Sequence, residues 1–252
     1  MVKALAIALM LCSCGAFAPL ARCGEPEGGP PTAAVRAGID AYNRGDAALA
    51  FRLLTAEADR GQSDAEVNLG YLYARGQGVA ANQLEAFRLY GLSAKQGNGE
   101  GMNALGYKYE FGTGIAPDIR KAVNWYCLAA LQGSARAMNN LAILLSDGKL
   151  VPRNVADARG LWRQAIAMGH VNAMVGLGLS LMNGPGAPLD PEEGRHWLLL
   201  AARRGQPYAQ QLVRQMGVGE PLPAPLDEAT LMQLQPRDAP PGHAEICGSL
   251  VS

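Results

Sequence analysis

The chain has 252 residues, with 22 basic and 22 acidic side chains and an apolar fraction of 49%. This balance of charge creates no overall field that would attract nucleic acid or an acidic membrane surface, so we expect no nucleic-acid partner. The apolar fraction is ample for a buried core across most of the chain.

The first two dozen residues are typical of a secretory signal peptide. Lys3 supplies a positive charge, residues 4–11 form an uninterrupted apolar run, and small residues follow. That run of 8 residues is well short of the roughly 20 that a membrane-spanning helix needs. We therefore predict a signal peptide over residues 1–23, no transmembrane span, and export to the periplasm, with a Gram-negative source favoured.

Two interpretations of the cleavage site remain open. Residues 11–14 (LCSC) are similar to a bacterial lipobox with Cys14 as a possible lipid anchor. Ordinary cleavage after residues 16–18 (AFA) is disfavoured by Pro19, which leaves residues 21–23 as the main alternative. The protein is thus either a lipoprotein or free in its compartment.

Two cysteines remain in the mature chain if cleavage removes everything up to Cys23. Cys127 lies within a helical pattern and Cys247 lies near the C-terminus. An exported protein meets an oxidising environment, where a bridge between them would persist. A bridge and two free thiols are both compatible with the sequence.

An exact period of 36 residues follows, in four copies that align without a gap. The copies occupy residues 63–98, 99–134, 135–170 and 171–206. Small or apolar residues recur every four positions over residues 65–73 and again over 86–94, with Gly76 and Gly78 between them. Each copy is therefore predicted to be a helix, a short loop and a second helix.

The predicted helix ends carry local signals. Asp118, Asn154 and Asp190 stand where the second helices begin, as N-cap residues do. Glu192 and Glu193 follow as expected partners of the helix dipole. Glycines recur where the second helices end: Gly61, Gly97, Gly133, Gly169 and Gly205.

Equivalent positions in the copies show what must pack. One first-helix position stays small: Gly70, Gly106, Ala142 and Gly178. One second-helix position stays large: Tyr90, Tyr126, Trp162 and Leu198. A single copy cannot bury both helical faces, so the copies are expected to stack as an all-α solenoid with close helix contacts at the small positions.

The pattern A-x-x-x-L-G-x-x-Y-x-x-G-x-G-V, followed by A-x-x-x-Y and a small-residue turn, resembles the Sel-one-like repeat, a relative of the tetratricopeptide repeat. The resemblance covers the four copies and implies a right-handed α-solenoid with adaptor or assembly roles. The third copy departs from the pattern, because Ala142 replaces a glycine and residues 148–150 (GKL) replace G-x-G. We expect its loop to have a different shape.

The array extends beyond the four copies at both ends. Residues 33–62 resemble a tetratricopeptide-like repeat with a shorter loop, and residues 207–217 repeat only a first helix and would form a capping helix. The prediction is eleven helices. Residues 218–252 form an extended, proline-rich tail, interpreted either as disordered or as a segment that docks on the solenoid through Leu231, Met232 and Leu234.

The glycine pairs and the histidines suggest no phosphate-binding or metal site. The G-x-G pairs follow helices rather than strands and lack the third glycine of a dinucleotide site. His170 and His196 have no second ligand at metal spacing and are interpreted as solvated surface residues. We therefore expect no metal and no cofactor.

One short motif is compatible with an enzyme. Residues 146–149 (SDGK) fit S-x-x-K, in which a lysine helps to activate a serine nucleophile. Cysteine-rich bacterial members of the repeat family are associated with penicillin binding, which implies a cell-wall or β-lactam-related hydrolase as the alternative function. However, no K-T-G accompanies the motif, and Cys127 is the only cysteine in the four copies.

The first helices supply the candidate binding surface. Steps of three, four and seven from Asn68 select a strip of aromatic, amide and charged residues that would suit a peptide or a partner helix. The predicted groove residues are Asn68, Tyr71, Arg75, Tyr107, Lys108, Phe111, Asn140, Asp147, Ser180 and Asn183. Leu72, Ile143, Leu144 and Leu179 lie on the same strip and would either line the groove or pack between repeats. We expect an exported interaction scaffold, not an enzyme, that binds an unknown protein or peptide.

Overall fold

The computed structural model describes residues 31–217 and Cys247. Within these residues the chain forms eleven α-helices and no strand, which confirms the predicted α-solenoid and its number of helices. The helices are α1 (Ala33–Asn43), α2 (Ala47–Ala58), α3 (Ser63–Arg75), α4 (Gln83–Lys95), α5 (Gly99–Phe111), α6 (Ile119–Leu131), α7 (Ala135–Asp147), α8 (Val155–Ala167), α9 (Val171–Asn183), α10 (Pro191–Arg203) and α11 (Pro207–Gln215). The predicted signal peptide, its Cys14, and the tail residues Leu231, Met232 and Leu234 lie outside the described residues.

The helices pack in sequence order. Each helix contacts the next along the chain, and the first helices of neighbouring copies also contact one another, α3 with α5, α5 with α7 and α7 with α9. First helices of neighbouring copies thus contact one another more than second helices do, as expected for helices on the concave side of a solenoid. No described helix is long and apolar enough to cross a membrane.

Local signals set the helix ends. The side chains of Asp118, Asn154 and Asp190 each accept a hydrogen bond from the backbone amide three residues on, so the predicted N-caps are present. Gly148 ends α7 in the left-handed conformation with φ of 66°, as the corresponding glycines of the first two copies do. The expected change in the third copy therefore does not affect the end of its first helix. It is Gly184, in the fourth copy, that departs with φ of −68°.

The small first-helix positions lie against aromatic rings. A Cβ atom built on Gly70 would be 2.5 Å from Tyr90, and one on Gly106 would be 2.6 Å from Tyr126. Real Cβ atoms do not approach that closely, so these positions require glycine unless the ring moves. The predicted close approach of the helices is confirmed at both positions.

The buried residues form two apolar clusters. A smaller cluster joins α1 to α4, and a larger one continues from α3 to α11. Cys127 of α6 forms a disulfide with Cys247, with their Cα atoms 5.6 Å apart, so the bridge that the sequence left open is present. It links two residues 120 positions apart and ties the end of the chain to the second copy.

A buried ion pair joins α8 to α10. Arg163 donates to Glu193 at 3.0 Å, and the indole of Trp197 donates to the same carboxylate oxygen at 3.0 Å. Glu193 was expected only as a partner of the α10 dipole. The structure shows that it is buried and holds two second helices together.

Candidate binding groove

Two connected cavities lie along the first helices in the N-terminal half of the array. The larger has a volume of about 570 Å³ and is lined by residues of α3, α4, α5 and α7 and of the loop after α5. The smaller, of about 230 Å³, is lined by residues of α1, α2, α3 and α7. Both contain Tyr71, Arg75 and Arg136, so together they form one groove.

Six of the ten predicted groove residues line these cavities. Asn68 lies in the smaller cavity, Tyr107, Lys108 and Asn140 lie in the larger, and Tyr71 and Arg75 belong to both. The spacing of these residues placed them on one face of each helix, and the faces meet because the helices stack in register.

Two aromatic pairs border the larger cavity. Tyr71 packs against Tyr90 with ring centroids 5.4 Å apart. Phe111, a seventh predicted residue, packs against Tyr107 at 4.5 Å, and the two are 56% and 49% exposed. An exposed aromatic pair beside a cavity offers apolar area to a partner at little conformational cost.

Hydrogen bonds hold the polar side chains of the groove in place. Arg75 donates to the hydroxyl of Tyr42 at 2.9 Å, and Arg136 donates to the hydroxyl of Tyr71 at 3.3 Å. The amide of Asn140 donates to that of Asn103 at 3.0 Å. These contacts join α1, α3, α5 and α7 across the groove.

Lys108 is the most buried charged group in the groove. The residue is 4% exposed, and its ammonium donates to the side-chain oxygen of Gln83 and lies 5.9 Å from the ring centroid of Tyr90. Burial lowers the pKa of Lys108. Burial also raises the pKa of Tyr71, and nearby Glu100 adds to that shift.

Three predicted groove residues lie elsewhere. Asp147 is exposed and pairs with Lys149 at 2.9 Å, and Asn183 is exposed at the end of α9; neither lines the described cavities. Ser180 is buried, and its hydroxyl accepts a hydrogen bond from Arg159 at 3.0 Å. Ser180 is therefore not an accessible groove residue, because its position is buried, as are the equivalent Leu72 and Leu144.

The ambiguous apolar residues divide between surface and core. Leu72 and Leu144 are buried, Leu179 is partly buried against the core, and Ile143 is exposed. The adjacent α7 residues Ile143 and Leu144 thus face solvent and core respectively, which shows how that helix is rotated about its axis.

Sequence reasoning missed several groove residues, Arg136 above all. Arg136 forms an ion pair of 3.0 Å with Glu100, and these residues are 36 positions apart. Glu100 and Arg136 occupy the same position of neighbouring copies and have opposite charges, so the sequence contained a signal for this ion pair. Gln83, Tyr90, Asn103 and Thr113 also line the larger cavity.

His170 is not the solvated residue expected from the sequence. It precedes α9 as its N-cap residue without donating or accepting a capping hydrogen bond, and its Nδ1 atom is buried without a partner. Burial lowers its pKa. The described residues contain no group of three or more histidine, cysteine or acidic side chains that could hold a metal ion.

The S-x-x-K motif spans the end of α7. Ser146 belongs to that helix, Gly148 ends it, and the ammonium of Lys149 pairs with Asp147. The lysine side chain is largely exposed to solvent. A nucleophile needs a base within hydrogen-bond reach, and Lys149 instead contacts a carboxylate.

Comparisons with known proteins agree with this repeat architecture. A Sel1 repeat protein from Oxalobacter formigenes shares 28% identity, with 81% of this chain and 80% of that chain covered and a TM-score of 0.62. A protective antigen of uropathogenic Escherichia coli with an SLR fold, c5321, shares 24% identity, with 79% and 45% covered and a TM-score of 0.56. A Sel1 repeat protein from Klebsiella pneumoniae shares 18% identity, with 73% and 91% covered and a TM-score of 0.54.

No curated protein matches the chain. The family model described as Sel1 repeat matches residues 63–98, 99–134, 135–170 and 171–206. These segments make up more than half of the chain, and the chain belongs to the Sel1 repeat family.

Proposed function

We propose that this protein is an exported scaffold that binds a peptide or an extended segment of a partner protein in the groove along α3, α5 and α7. One observation carries the proposal: a groove with exposed aromatic rings at its border and ordered amide and cationic groups inside. Such a surface can bury apolar side chains of a partner and satisfy its polar groups at once. The Sel1 repeat fold is typical of protein-interaction scaffolds, which supports binding rather than turnover.

The groove residues of the proposed site are Asn68, Tyr71, Arg75, Tyr107, Lys108, Phe111 and Asn140, together with Arg136. Asp147, Ser180 and Asn183 are left out, because two of them lie away from the cavities and one is buried.

Site-specific photocrosslinking in the native organism tests the proposal. A photoreactive amino acid replaces Tyr107 or Phe111, and in a matched control it replaces Leu131 on α6, which has the same 49% exposure as Tyr107. We expect a discrete crosslinked partner from both groove positions and none from Leu131. Equal crosslinking from Leu131, or none from the groove, would overturn the proposal.

The proposal of export has support from the disulfide. A bridge between Cys127 and Cys247 persists in an oxidising compartment and is rare in the cytosol. Together with the N-terminal pattern, this favours the periplasm, with Cys14 as a lipid anchor or with cleavage near residues 21–23. Mass spectrometry of the mature N-terminus from the cell envelope distinguishes these two forms, and recovery of intact Met1 from the cytosol would contradict both.

The scaffold proposal also predicts no hydrolysis at the S-x-x-K motif. The intact protein should leave a chromogenic β-lactam unchanged. Turnover that disappears in Ser146→Ala would instead establish the hydrolase.

A further inference from the structure

Among residues 31–217, Lys108 is a buried cation without a partner of opposite charge. It is 4% exposed, and no carboxylate oxygen of the described residues lies within 4.0 Å of its ammonium. Its hydrogen bond goes to the neutral side chain of Gln83. A buried charge is costly unless it is paired, and a lysine ammonium has three protons to donate. Lys108 therefore retains donor capacity in the larger cavity.

The whole groove is cationic, although the chain is not. The chain has equal numbers of basic and acidic side chains, 22 of each. Lys108, Arg75 and Arg136 line the two described cavities, and no aspartate or glutamate does. Charge is thus segregated in the groove, and a groove lined by one sign of charge attracts ligands of the other.

The two arginines are only partly neutralised. Arg75 donates to the hydroxyl of Tyr42 and forms no ion pair among the described residues. Arg136 pairs with Glu100, whose side chain is itself 41% exposed to solvent. Both guanidinium groups have further N–H donors, since each carries five.

A neutral donor faces the same cavity. Thr113, in the loop after α5, lines the larger cavity, and its hydroxyl oxygen is buried without a hydrogen-bond partner. Buried polar atoms in folded proteins are normally bonded, so this hydroxyl is available to bond a water or a ligand atom in the cavity. A hydroxyl can donate to an anionic oxygen as an ammonium does.

We propose that the larger cavity binds a carboxylate of an acidic peptide segment, with Lys108 as its main partner and Arg75 and Arg136 beside it. This inference rests on the proposed function and specifies the partner chemistry at that site. The exposed pair of Tyr107 and Phe111 at the cavity border would take an adjacent apolar side chain of the same segment. The carboxylate is that of an aspartate or glutamate side chain of the segment.

Defined peptide pools test this proposal on the full mature chain with its disulfide intact. One fluorescent dodecapeptide pool has Glu and Phe at two fixed positions and is randomised elsewhere with neutral residues. The comparison pool has Gln in place of Glu. Each pool is made with a free and with an amidated C-terminus. Fluorescence polarisation measures binding to the wild-type protein and to variants.

Lys108→Met removes the charge but keeps a long unbranched side chain, and Lys149→Met, the matched control, removes an exposed lysine that does not line the described cavities. Arg75→Gln is a second test variant, because Arg75 is exposed and its loss should not unfold the protein. Circular dichroism establishes that each variant is folded.

We expect the Glu pool to bind about tenfold or more tightly than the Gln pool, and we expect Lys108→Met and Arg75→Gln to reduce this preference while Lys149→Met does not. If amidation abolishes binding and Glu adds nothing, the cavity binds a C-terminal carboxylate and the assignment to an acidic side chain is overturned. Equal binding of all four pools would overturn the carboxylate assignment but leave the peptide groove intact. Failure of every pool to bind also counts against the assignment, and crosslinking at Tyr107 then decides separately whether the groove binds a partner.

Discussion

The close approach of α5 to α6 at Gly106 gives a sharp test of the packing. Gly106→Ala places a methyl group 2.6 Å from Cδ1 and 2.7 Å from Cε1 of Tyr126. Tyr126 cannot easily yield, because its ring is fully buried and its hydroxyl donates to Glu110 at 2.6 Å. We expect an overpacking cost near the upper end of about 1–3 kcal/mol.

A helix gains about 1 kcal/mol when glycine becomes alanine, so the net loss for Gly106→Ala is about 2 kcal/mol. Gly91→Ala is the matched control. Gly91 lies within α4, and nothing is within 4 Å of the added methyl group. It should gain about 1 kcal/mol from helix propensity alone.

The measurement is the free energy of unfolding in urea, followed by circular dichroism. The two variants should differ by about 3 kcal/mol, or roughly 6–12 °C in melting temperature for a protein of this size. Ala142→Gly, at the equivalent position of the third copy, should lose about 1 kcal/mol because a methyl group is already accommodated there. If Gly106→Ala is as stable as Gly91→Ala, the account of helix contact at the small positions is refuted.

Three further changes test the stabilising contacts. Opening the Cys127 bridge with a reductant releases a loop of 120 residues, and loop-closure entropy sets the loss at up to about 5 kcal/mol; an unchanged melting temperature would contradict this. His170→Asn should stabilise by about 1 kcal/mol, since Asn98 at the equivalent position accepts capping hydrogen bonds. Because the pKa of His170 is lowered in the folded protein, the unfolded chain binds the proton first, and wild-type stability should fall as the pH drops below the ordinary pKa of 6.5. His170→Asn should reduce this pH dependence, and Asn98→His should introduce a similar one. Glu193→Ala should cost about 3–5 kcal/mol in thermal or urea unfolding by leaving Arg163 as an unpaired buried charge, and a loss below 1 kcal/mol would refute the role of the pair.

Helix number and helix ends followed from the sequence because their signals are local. An exact period of 36 residues repeats the same cap and the same glycine turn. Asp118, Asn154 and Asp190 each bond the first turn of their own helix, which needs no knowledge of the rest of the fold.

The groove was only partly predictable, because its environment depends on contacts between copies. Residue spacing placed Tyr71, Tyr107 and Asn140 on one strip, but it did not reveal that Lys108 is buried. Gln83 and Tyr90 of α4, which lie outside the strip, contact the Lys108 ammonium and help to bury it.

The prediction of Ser180 as a groove residue was wrong for a specific reason. Arg159 stands where the earlier copies have the apolar residues Phe87 and Val123. Its guanidinium reaches the hydroxyl of Ser180 and the carbonyl of Pro188. Ser180 is equivalent to Leu72, Lys108 and Leu144, which are all buried, so this position lies in the interior in every copy. Comparison of copies by register could not show that the Arg159 side chain would bond the Ser180 hydroxyl there.

Whether Cys127 and Cys247 form a disulfide could not be predicted, because their pairing also depends on the folded chain. The spacing of Cys127 and Cys247 in the sequence contains no information on their distance in space. Only the folded chain brings their Cα atoms to 5.6 Å, within the range that a bridge requires.

Fluorine NMR of the full chain, labelled with 3-fluorotyrosine and mixed with the partner recovered by crosslinking, tests the central claim most directly. Tyr107 in the groove and Tyr208 on α11 are 49% and 50% exposed, so they report equally well on contact with a partner. Single tyrosine-to-phenylalanine variants assign the two signals. The account predicts that the Tyr107 signal shifts on binding while the Tyr208 signal does not. A shift at Tyr208 with Tyr107 unchanged would contradict the assignment of the groove as the partner-binding surface.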